Sequence, residues 1–273
     1  MNRIDTVFGK LKGDGRTAVV PYICCGDPYA DATADIMLAL AQGGADVIEL
    51  GVPFSDPIAD GPVNQRAAVR ALAAGTKLSA ILQLVARHRD KLGIPIVLFT
   101  YFNPIHARGV ERFAEQAAAS GVDGVLCVDL PPDEGEREFI PAMREQGVDT
   151  IFLLAPTSTR DRVNKVAACS SGFIYYVSRT GVTGERAALP SELVRDIKKL
   201  RKRLGQPLAV GFGLSTPEQV AAVGEIADGV VVGSALVRLI EEQGSDPGFP
   251  RVLEERVREL SAPLRQRAER RRA

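Results

Sequence analysis

The sequence lacks an excess of charge of either sign, because 34 lysines and arginines balance 34 aspartates and glutamates. A chain without net charge has no domain-wide positive field that would attract nucleic acid or an anionic membrane, so we expect neither as a partner. The one local excess is basic and covers residues 265–272. A short basic run of this kind is typical of the solvated end of a helix.

Residues that form disulfides or bind metals are also few. None of the four cysteines stands in a Cys-x-x-Cys pair, and the chain has only two histidines. The sequence therefore predicts neither a disulfide framework nor a zinc site. The adjacent pair Cys24 and Cys25 is interpreted as two small buried thiols in a reducing compartment.

Long apolar runs are absent as well: none approaches the roughly 18 residues that cross a bilayer. The first residues mix charges with Ile4, Val7, Phe8 and Leu11 at helical spacing. This spacing predicts a short amphipathic helix rather than a secretory signal. From both features we expect a soluble protein of the cytoplasm.

What recurs along the chain is a short run of β-branched or aliphatic residues. Between these runs lie longer segments of helical character, several of which end in glycine, as helices commonly do. The predicted strands are Ala18 to Cys24, Val47 to Leu50, Ile94 to Thr100, Gly124 to Asp129, Thr150 to Leu154, Phe173 to Ser178, Leu208 to Gly213 and Gly229 to Gly233.

Eight alternations of strand and helix predict an α/β fold with a parallel sheet. We expect a single (β/α)8 TIM barrel over residues 1–273, with an extra N-terminal helix. A doubly wound open sheet is the alternative, but "CCGDP" follows the first strand where a dinucleotide-binding sheet would carry G-x-G-x-x-G. The active site of such a barrel lies in the loops after the strands.

The stretch "VIELGVPFSDPIADGPVNQ" places acids after the second strand. If Ile48 and Leu50 face the outer helices, strand alternation turns Glu49 into the barrel lumen. Burial there raises a carboxyl pKa towards neutrality, which suits a group that gives and takes protons. A surface carboxylate that ends the strand or pairs with a base is the alternative. Asp56 and Asp60 both stand in turn sequences, and spacing alone does not show which one works with Glu49.

Glycines follow the seventh and eighth strands, in "GFGLSTPEQ" and "VVGSALV". With Ser234 at the start of a helix, they would present backbone N–H groups to an anion, and barrels often bind phosphate at this place. An ordinary tight turn is the alternative. After the sixth strand, "SRTGVTGERAALP" indicates a lid, or merely a long surface loop.

The stretch "ELGVPFSDPIADGPVNQ" closely resembles the signature of the tryptophan synthase alpha chain family. "NPIHARGVERF", "DGVLCVDLPPDE", "YYVSRTGVTGERAALP", "VGFGLSTPEQV" and "GVVVGSALV" follow in the family's order and spacing, so the resemblance covers nearly the whole chain. It implies retro-aldol cleavage of indole-3-glycerol phosphate to indole and glyceraldehyde 3-phosphate, with no cofactor in this chain.

The resemblance also implies the roles of individual residues. Glu49 would exchange protons between indole C3 and the glycerol hydroxyl, Asp60 would stabilise the positive charge on the indole nitrogen, and Tyr175 would be the active-site tyrosine. An apolar slot for the substrate would involve Tyr22, Phe99, Tyr101, Val128 and Leu153, for each of which core packing is the alternative, together with Phe212. The lid would contribute Thr183, and phosphate would bind at Gly184, Gly211, Gly213, Gly233 and Ser234.

The chain departs from the family pattern near this slot. Cys24 and Cys25 stand where a threonine or alanine beside an apolar residue is more usual, Tyr22 where phenylalanine is common, and Asn64 where an aliphatic residue is usual. These departures concern the shape of the slot and its local hydrogen bonding, and they leave the two acids in place.

A partner is implied too: a beta chain that carries pyridoxal phosphate and receives indole through a tunnel, in an alpha2-beta2 complex. The residues that match the region meeting it are Asp56, Pro57, Asn103, Pro104, Pro131 and Pro132. Two alternatives stay open. One is a phosphosugar isomerase on the same barrel, and the other is a non-catalytic subunit that only binds and activates a partner.

Overall fold

Nine parallel strand segments form one sheet in the computed structural model, which describes residues 2–178, 189–211 and 213–272. Their order across the sheet is β5-β4-β3-β2-β1-β9-β8-β7-β6. The segments are β1 Ala18–Cys24, β2 Ile48–Gly51, β3 Ile96–Thr100, β4 Gly124–Cys127, β5 Asp149–Ile151, β6 Leu153–Leu154, β7 Ile174–Val177, β8 Leu208–Gly211 and β9 Gly229–Val232.

The two end segments of the sheet, β5 and β6, are consecutive in the chain and separated only by Phe152. β5 pairs with β4, and β6 pairs with β7. Together β5 and β6 form the fifth strand of the barrel, and their pairing with both neighbours closes the sheet into a barrel of eight strands. Phe152 interrupts the ladder, yet its carbonyl oxygen still accepts the Tyr175 N–H at 3.1 Å. The predicted (β/α)8 barrel is confirmed, and the predicted uninterrupted strand over residues 150–154 is wrong at this one residue.

Helices follow nearly every strand. Those of the described residues are α1 Arg3–Gly13, α2 Ala32–Gly43, α3 Pro62–Ala73, α4 Leu78–Leu92, α5 Phe102–His106, α6 Val110–Ser120, α7 Pro132–Gly135, α8 Phe139–Glu145, α9 Arg160–Cys169, α10 Ser191–Arg201, α11 Pro217–Gly224, α12 Ser234–Gln243 and α13 Phe249–Arg272. No single helix among them is long and apolar enough to cross a membrane, and the one pair that reaches the criterion together, α3 with α4, is bent by 91°.

Sequence reasoning missed α3, α5 and the short α7, and of α13 it indicated only the basic end. The buried face of α3 consists of Ala67, Ala68 and Ala71, which give a weaker periodic signal than leucine or isoleucine. Its start is nevertheless well marked, because Gly61 is the N-cap and Pro62 occupies the first helical position, where a missing N–H costs nothing. This helix matters for function because it begins directly after the loop that carries the acids.

Strand alternation divides the apolar residues into two layers. Residues such as Val20, Val47 and Val97 point into the lumen, where α1 closes the N-terminal end of the barrel with Ile4, Phe8 and Leu11. The alternate residues, Ile48 and Leu50 among them, pack against the outer helices. The predicted inward orientation of Glu49 is thereby confirmed, as is the predicted N-terminal helix.

A repeated clamp holds the N-terminal ends of the strands together. Shortly before every second strand of the barrel stands a side chain that accepts a backbone N–H from the preceding strand. Asp46 accepts from Val19, Asp123 from Ile96, Ser171 from Thr150 and Asp228 from Leu208, at 2.9–3.0 Å. The three carboxylates also have arginine partners, namely Arg16, Arg89 with Arg3, and Arg201. At the remaining position Ser171 accepts the bond through an uncharged hydroxyl.

Asp149 directly precedes Thr150, the residue that donates to Ser171. It is a buried carboxyl that has no arginine partner among the described residues. It is 8% exposed, and its Oδ2 has no hydrogen-bond partner. Burial, with smaller contributions from Asp5 and Asp123, raises its pKa to about 6. Because this is above the unfolded value of about 3.9, the neutral form contributes stability that is complete below about pH 4 and lost as the pH rises through 6.

We therefore expect Asp149→Asn to stabilise the protein at pH 8, by roughly 1–3 kcal/mol, because the amide is uncharged at every pH. Urea unfolding at pH 4.5 and pH 8 measures this. The gain should be small at pH 4.5, and an equal gain at both pH values would contradict the titration of Asp149. The control, Asp123→Asn, should destabilise at pH 8 because it weakens ion pairs with Arg3 and Arg89.

Candidate active site

Glu49 lies in the lumen near the C-terminal end of β2, in register with Tyr22 of β1 and Val97 of β3. Its side chain is completely buried, and neither carboxyl oxygen has a hydrogen-bond partner among the residues that the structure describes. This desolvation raises the pKa of Glu49 to about 8. The group is therefore mostly protonated at neutral pH, and once it has given up its proton it is a strong base for a carboxylate.

Asp60 is held at the mouth of the barrel by side chains from other parts of the chain. The Tyr101 hydroxyl donates to Asp60 Oδ2 at 2.9 Å and accepts the Ala59 N–H at 3.0 Å. The Asn64 side chain also hydrogen-bonds the Asp60 carboxyl. Burial raises the pKa of Asp60, and the hydrogen bonds from Tyr101 and Asn64 lower it. Gln65 Nε2 fixes the loop backbone by donating to Asp60 O at 3.0 Å.

Asp56, the other acid of this loop, has a different environment. It is exposed, and its Oδ2 accepts a hydrogen bond from the neighbouring Ser55 hydroxyl at 2.5 Å. Two residues further on, Ile58 is 88% exposed. The ambiguity that the sequence left between the two acids is thus resolved in placement: Asp60 faces the barrel mouth and Asp56 faces outward.

Tyr175 of β7 lies close enough to Glu49 and Asp60 for both charges to act on its phenol. Burial is the main cause that raises the pKa of its phenol, and the charges of Glu49 and Asp60 raise it further. The same two acids act on Tyr22, whose ring meets that of Phe99 edge-on with centroids 5.1 Å apart. Glu49, Asp60 and Tyr175, predicted from distant parts of the sequence, therefore share one site.

The predicted slot residues fall into two groups. Phe99, Val128 and Leu153 are only partly buried while packing on the lumen core, as expected of residues that line its open end, and the active-site residue Tyr175 is placed in the same way. Tyr22 and Tyr101 are buried, at 7% and 3% exposure. Tyr101 stacks on Phe54, with centroids 4.9 Å apart, and so acts mainly as a support for Asp60.

The predicted phosphate positions lie after β8 and β9. Gly213 and Ser234 line one cavity of about 380 Å³. Gly213 has φ +43°, a conformation that side chains disfavour, and Gly233 is the N-cap of α12. The first N–H groups of a helix have no partners within it and attract anions. Gly211 is explained differently, because a Cβ there would collide with the Tyr175 hydroxyl.

Three predicted site residues, Thr183, Gly184 and Phe212, lie outside the described residues. Conversely, sequence reasoning missed Phe54, which supports Tyr101, and the bond from Asn64 to Asp60, although Asn64 was noted as a departure. A polar residue four positions after an acid, in the first turn of a helix, is the signal that would have found it. Within the described residues no group of three or more His, Cys, Asp or Glu side chains could hold a metal ion.

The fold is a parallel (β/α)8 barrel. Its lumen holds Glu49, an acid without a hydrogen-bond partner in the described residues, and its mouth holds a second carboxylate, Asp60. This combination is typical of barrel enzymes that use acid–base catalysis. A family model described as tryptophan synthase alpha chain matches residues 8–265. The chain belongs to the tryptophan synthase alpha chain family. It is an enzyme of tryptophan biosynthesis, a carbon–carbon lyase that cleaves indole-3-glycerol phosphate to indole and glyceraldehyde 3-phosphate.

Individual relatives agree with this membership. The tryptophan synthase alpha chain of Geobacter sp. strain M21 is 54% identical, over 90% of this chain and 92% of its own length. The crystal structure of tryptophan synthase subunit alpha from Legionella pneumophila superposes with a TM-score of 0.90 at 37% identity, covering 97% of this chain and 99% of the other. A structure of the tryptophan synthase complex from Pyrococcus furiosus has a TM-score of 0.81 at 40% identity, over 90% and 98% of the two chains.

Proposed function

We propose that Glu49 and Asp60 perform this cleavage by acid–base and electrostatic catalysis, in a single barrel domain over residues 1–273 and without a cofactor in this chain. The observation that carries the proposal is the isolation of Glu49: a completely buried carboxyl that has no hydrogen-bond partner within the described part of the chain and a pKa of about 8. Such a group holds a proton at neutral pH and has no structural partner to explain its burial.

The reaction proceeds in two proton transfers. Glu49 first protonates indole C3, which leaves a positive charge on the ring nitrogen, and the Asp60 carboxylate stabilises that cation. The Glu49 carboxylate then removes the proton of the adjacent glycerol hydroxyl. As the carbonyl of glyceraldehyde 3-phosphate forms, the C–C bond breaks and its electron pair returns to the ring, so indole leaves and Glu49 is again protonated.

The remaining site residues orient the substrate. Burial keeps the Tyr175 phenol protonated, so its hydroxyl can donate a hydrogen bond beside the reacting carbon. The partly exposed apolar residues at the barrel mouth receive the indole ring. Gly213, Gly233 and the start of α12 at Ser234 receive the phosphate, where the backbone N–H groups and the helix dipole favour an anion.

A direct assay tests the function. Purified protein given indole-3-glycerol phosphate should release indole and glyceraldehyde 3-phosphate in equal amounts. Protein that isomerises a ribulosyl phosphate and leaves indole-3-glycerol phosphate intact would decide for the isomerase. Protein that turns over neither, yet binds inorganic phosphate and activates a partner, would decide for the non-catalytic subunit.

We further propose that the chain works in the cytoplasm with a pyridoxal phosphate-containing beta chain, in an alpha2-beta2 complex. The exposed loop with Asp56 and Ile58 supports this, as does the tryptophan synthase complex among the related structures. Asn103 is exposed and Pro104 and Pro131 are partly exposed, whereas Pro132 is buried. The first three could meet the partner directly, and Pro132 would support that surface from beneath.

Asp56→Ala should separate the two functions of this loop. Because Asp56 is exposed and bonded to its neighbour Ser55, we expect cleavage by the isolated chain to change less than about twofold. Stimulation by the beta chain should fall about fivefold or more, since charges at an interface commonly contribute an order of magnitude to binding. The control is Asp90→Ala, an exposed aspartate at the opposite end of the barrel. A greater loss in isolated cleavage than in stimulation would reject the interface role.

A further inference from the structure

Four charged side chains outside the active site form a continuous ion cluster. The Arg70 guanidinium holds both oxygens of Asp27, at 2.6 and 2.9 Å, and donates a third bond to Glu241 Oε1 at 2.7 Å. Arg66 holds both oxygens of Glu241, each at 2.7 Å. Two cations balance two anions, so the cluster has no net charge with which to attract a ligand.

Each member belongs to an element that borders the active site. Asp27 follows β1, Arg66 and Arg70 lie one turn apart on α3, and Glu241 lies about two turns into α12. On the inner side the same elements meet through apolar contacts, in which Ala67, Ala71 and Val237 pack with Tyr22 and Cys24. The helices α3 and α12 are thus joined twice, by packing on the inside and by ion pairs on the outside.

The first residues of these two helices adjoin opposite ends of the proposed substrate site. α3 begins at Pro62, directly after Asp60 and Gly61, and Gln65 on its first turn holds the Asp60 carbonyl. α12 begins at Ser234, at the proposed phosphate position. A shift between the helices would therefore change the separation of Asp60 from the phosphate position.

We propose that the cluster of Asp27, Arg66, Arg70 and Glu241 is a positioning device, which sets the span between the carboxylate at the indole nitrogen and the phosphate-binding helix. This inference rests on the proposed function. Indole-3-glycerol phosphate must engage both ends at once, and an error of about 1 Å in such a fit can cost up to 100-fold in rate. Hydrogen bonds from Arg66 are the main cause that lowers the pKa of Glu241 to about 2, so Glu241 stays ionised at any working pH.

Glu241→Gln and Arg66→Gln test the proposal, because both residues are partly exposed and their loss leaves the Asp27–Arg70 pair intact. We expect each variant to lose about tenfold in kcat/KM for indole-3-glycerol phosphate. Affinities for inorganic phosphate and for indole, measured separately, should stay within about twofold, since neither probe spans the site. The double variant should lose little more than Glu241→Gln alone, because Arg66 joins the cluster through Glu241.

The matched control is Arg201→Gln. Arg201 has a similar exposure and pairs with Asp228 at the N-terminal end of the barrel. It should lower Tm to a similar extent without changing kcat/KM. If Glu241→Gln behaves like this control, or if it weakens phosphate or indole binding as much as it weakens catalysis, the positioning role is wrong.

A second measurement separates this inference from the function on which it rests. In a Glu49→Gln background, binding of intact indole-3-glycerol phosphate is measured without turnover, and Glu241→Gln should weaken it about five- to tenfold. Absence of indole formation by the unmodified chain would overturn the proposed function. The positioning role alone is wrong if two results occur together: Glu49→Gln with Glu241→Gln binds indole-3-glycerol phosphate as tightly as Glu49→Gln does, and Glu241→Gln keeps its full kcat/KM.

Discussion

Glu49→Gln is expected to abolish indole release, with kcat falling by about 10²- to 10⁴-fold. The amide has nearly the size of the carboxylic acid, yet it can neither deliver a proton to indole C3 nor accept one from the glycerol hydroxyl. Steady-state indole formation measures the effect. Inorganic phosphate should still bind within about twofold of its normal affinity, because Glu49 lies in the lumen on β2 and the phosphate position follows β8 and β9.

The pH dependence gives an independent check of this assignment. Catalysis starts from protonated Glu49, whose pKa burial raises to about 8. Activity as kcat/KM should therefore be level between the acid limb set by Asp60 and about pH 8, and it should fall as the pH rises through that value, because ionisation of Glu49 removes the acid. Undiminished turnover by Glu49→Gln, or a wild-type profile that stays level to pH 10, would refute the assignment.

Asp60→Asn is expected to have the second largest effect, a loss of about 10²- to 10³-fold in kcat with a smaller change in KM. The carboxylate acts on charge that develops only during the reaction, and removal of one such electrostatic group typically costs this much. The size-matched control is Asp56→Asn in the same loop, which should leave isolated cleavage nearly unchanged. A larger loss for Asp56→Asn than for Asp60→Asn would reverse the assignment of the two acids.

The support of Asp60 can be tested through the acid limb of the pH profile. Asp60 must be ionised, so activity should fall as the pH drops through its pKa. The Tyr101 hydroxyl bonds the carboxyl and lowers that pKa. Tyr101→Phe removes this bond and should move the acid limb to higher pH, whereas a purely structural role would lower the rate equally at every pH.

The inward orientation of Glu49 could be predicted from four consecutive residues. Alternation along a strand is a local property with a period of two, and Ile48 and Leu50 could face only the apolar outer layer. The proposed phosphate position rests on signals of a similar kind, since glycines after strands and a serine before a helix are local features of the sequence. The helix α3 escaped prediction because its buried face is alanine, which hardly differs from polar residues in a periodicity count.

The choice between Asp56 and Asp60 followed at first only from family resemblance. The contacts in the structure support the same choice: a tyrosine 41 residues away in the chain donates to the Asp60 carboxyl, whereas the Asp56 carboxyl accepts from its neighbour Ser55. The lid residue Thr183 lies outside the described residues, so its role stays a prediction.

The sequence by itself determined the alternation of strands and helices, the barrel that eight such units close, and the face on which Glu49 lies. These depend on patterns within a few residues. Only the tertiary structure decided that no side chain of residues 2–178, 189–211 or 213–272 bonds the Glu49 carboxyl, that Tyr101 holds Asp60, and that Asp27, Arg70 and Glu241 meet in one cluster. Such features depend on which distant segments the closed barrel brings together, and no local pattern records that.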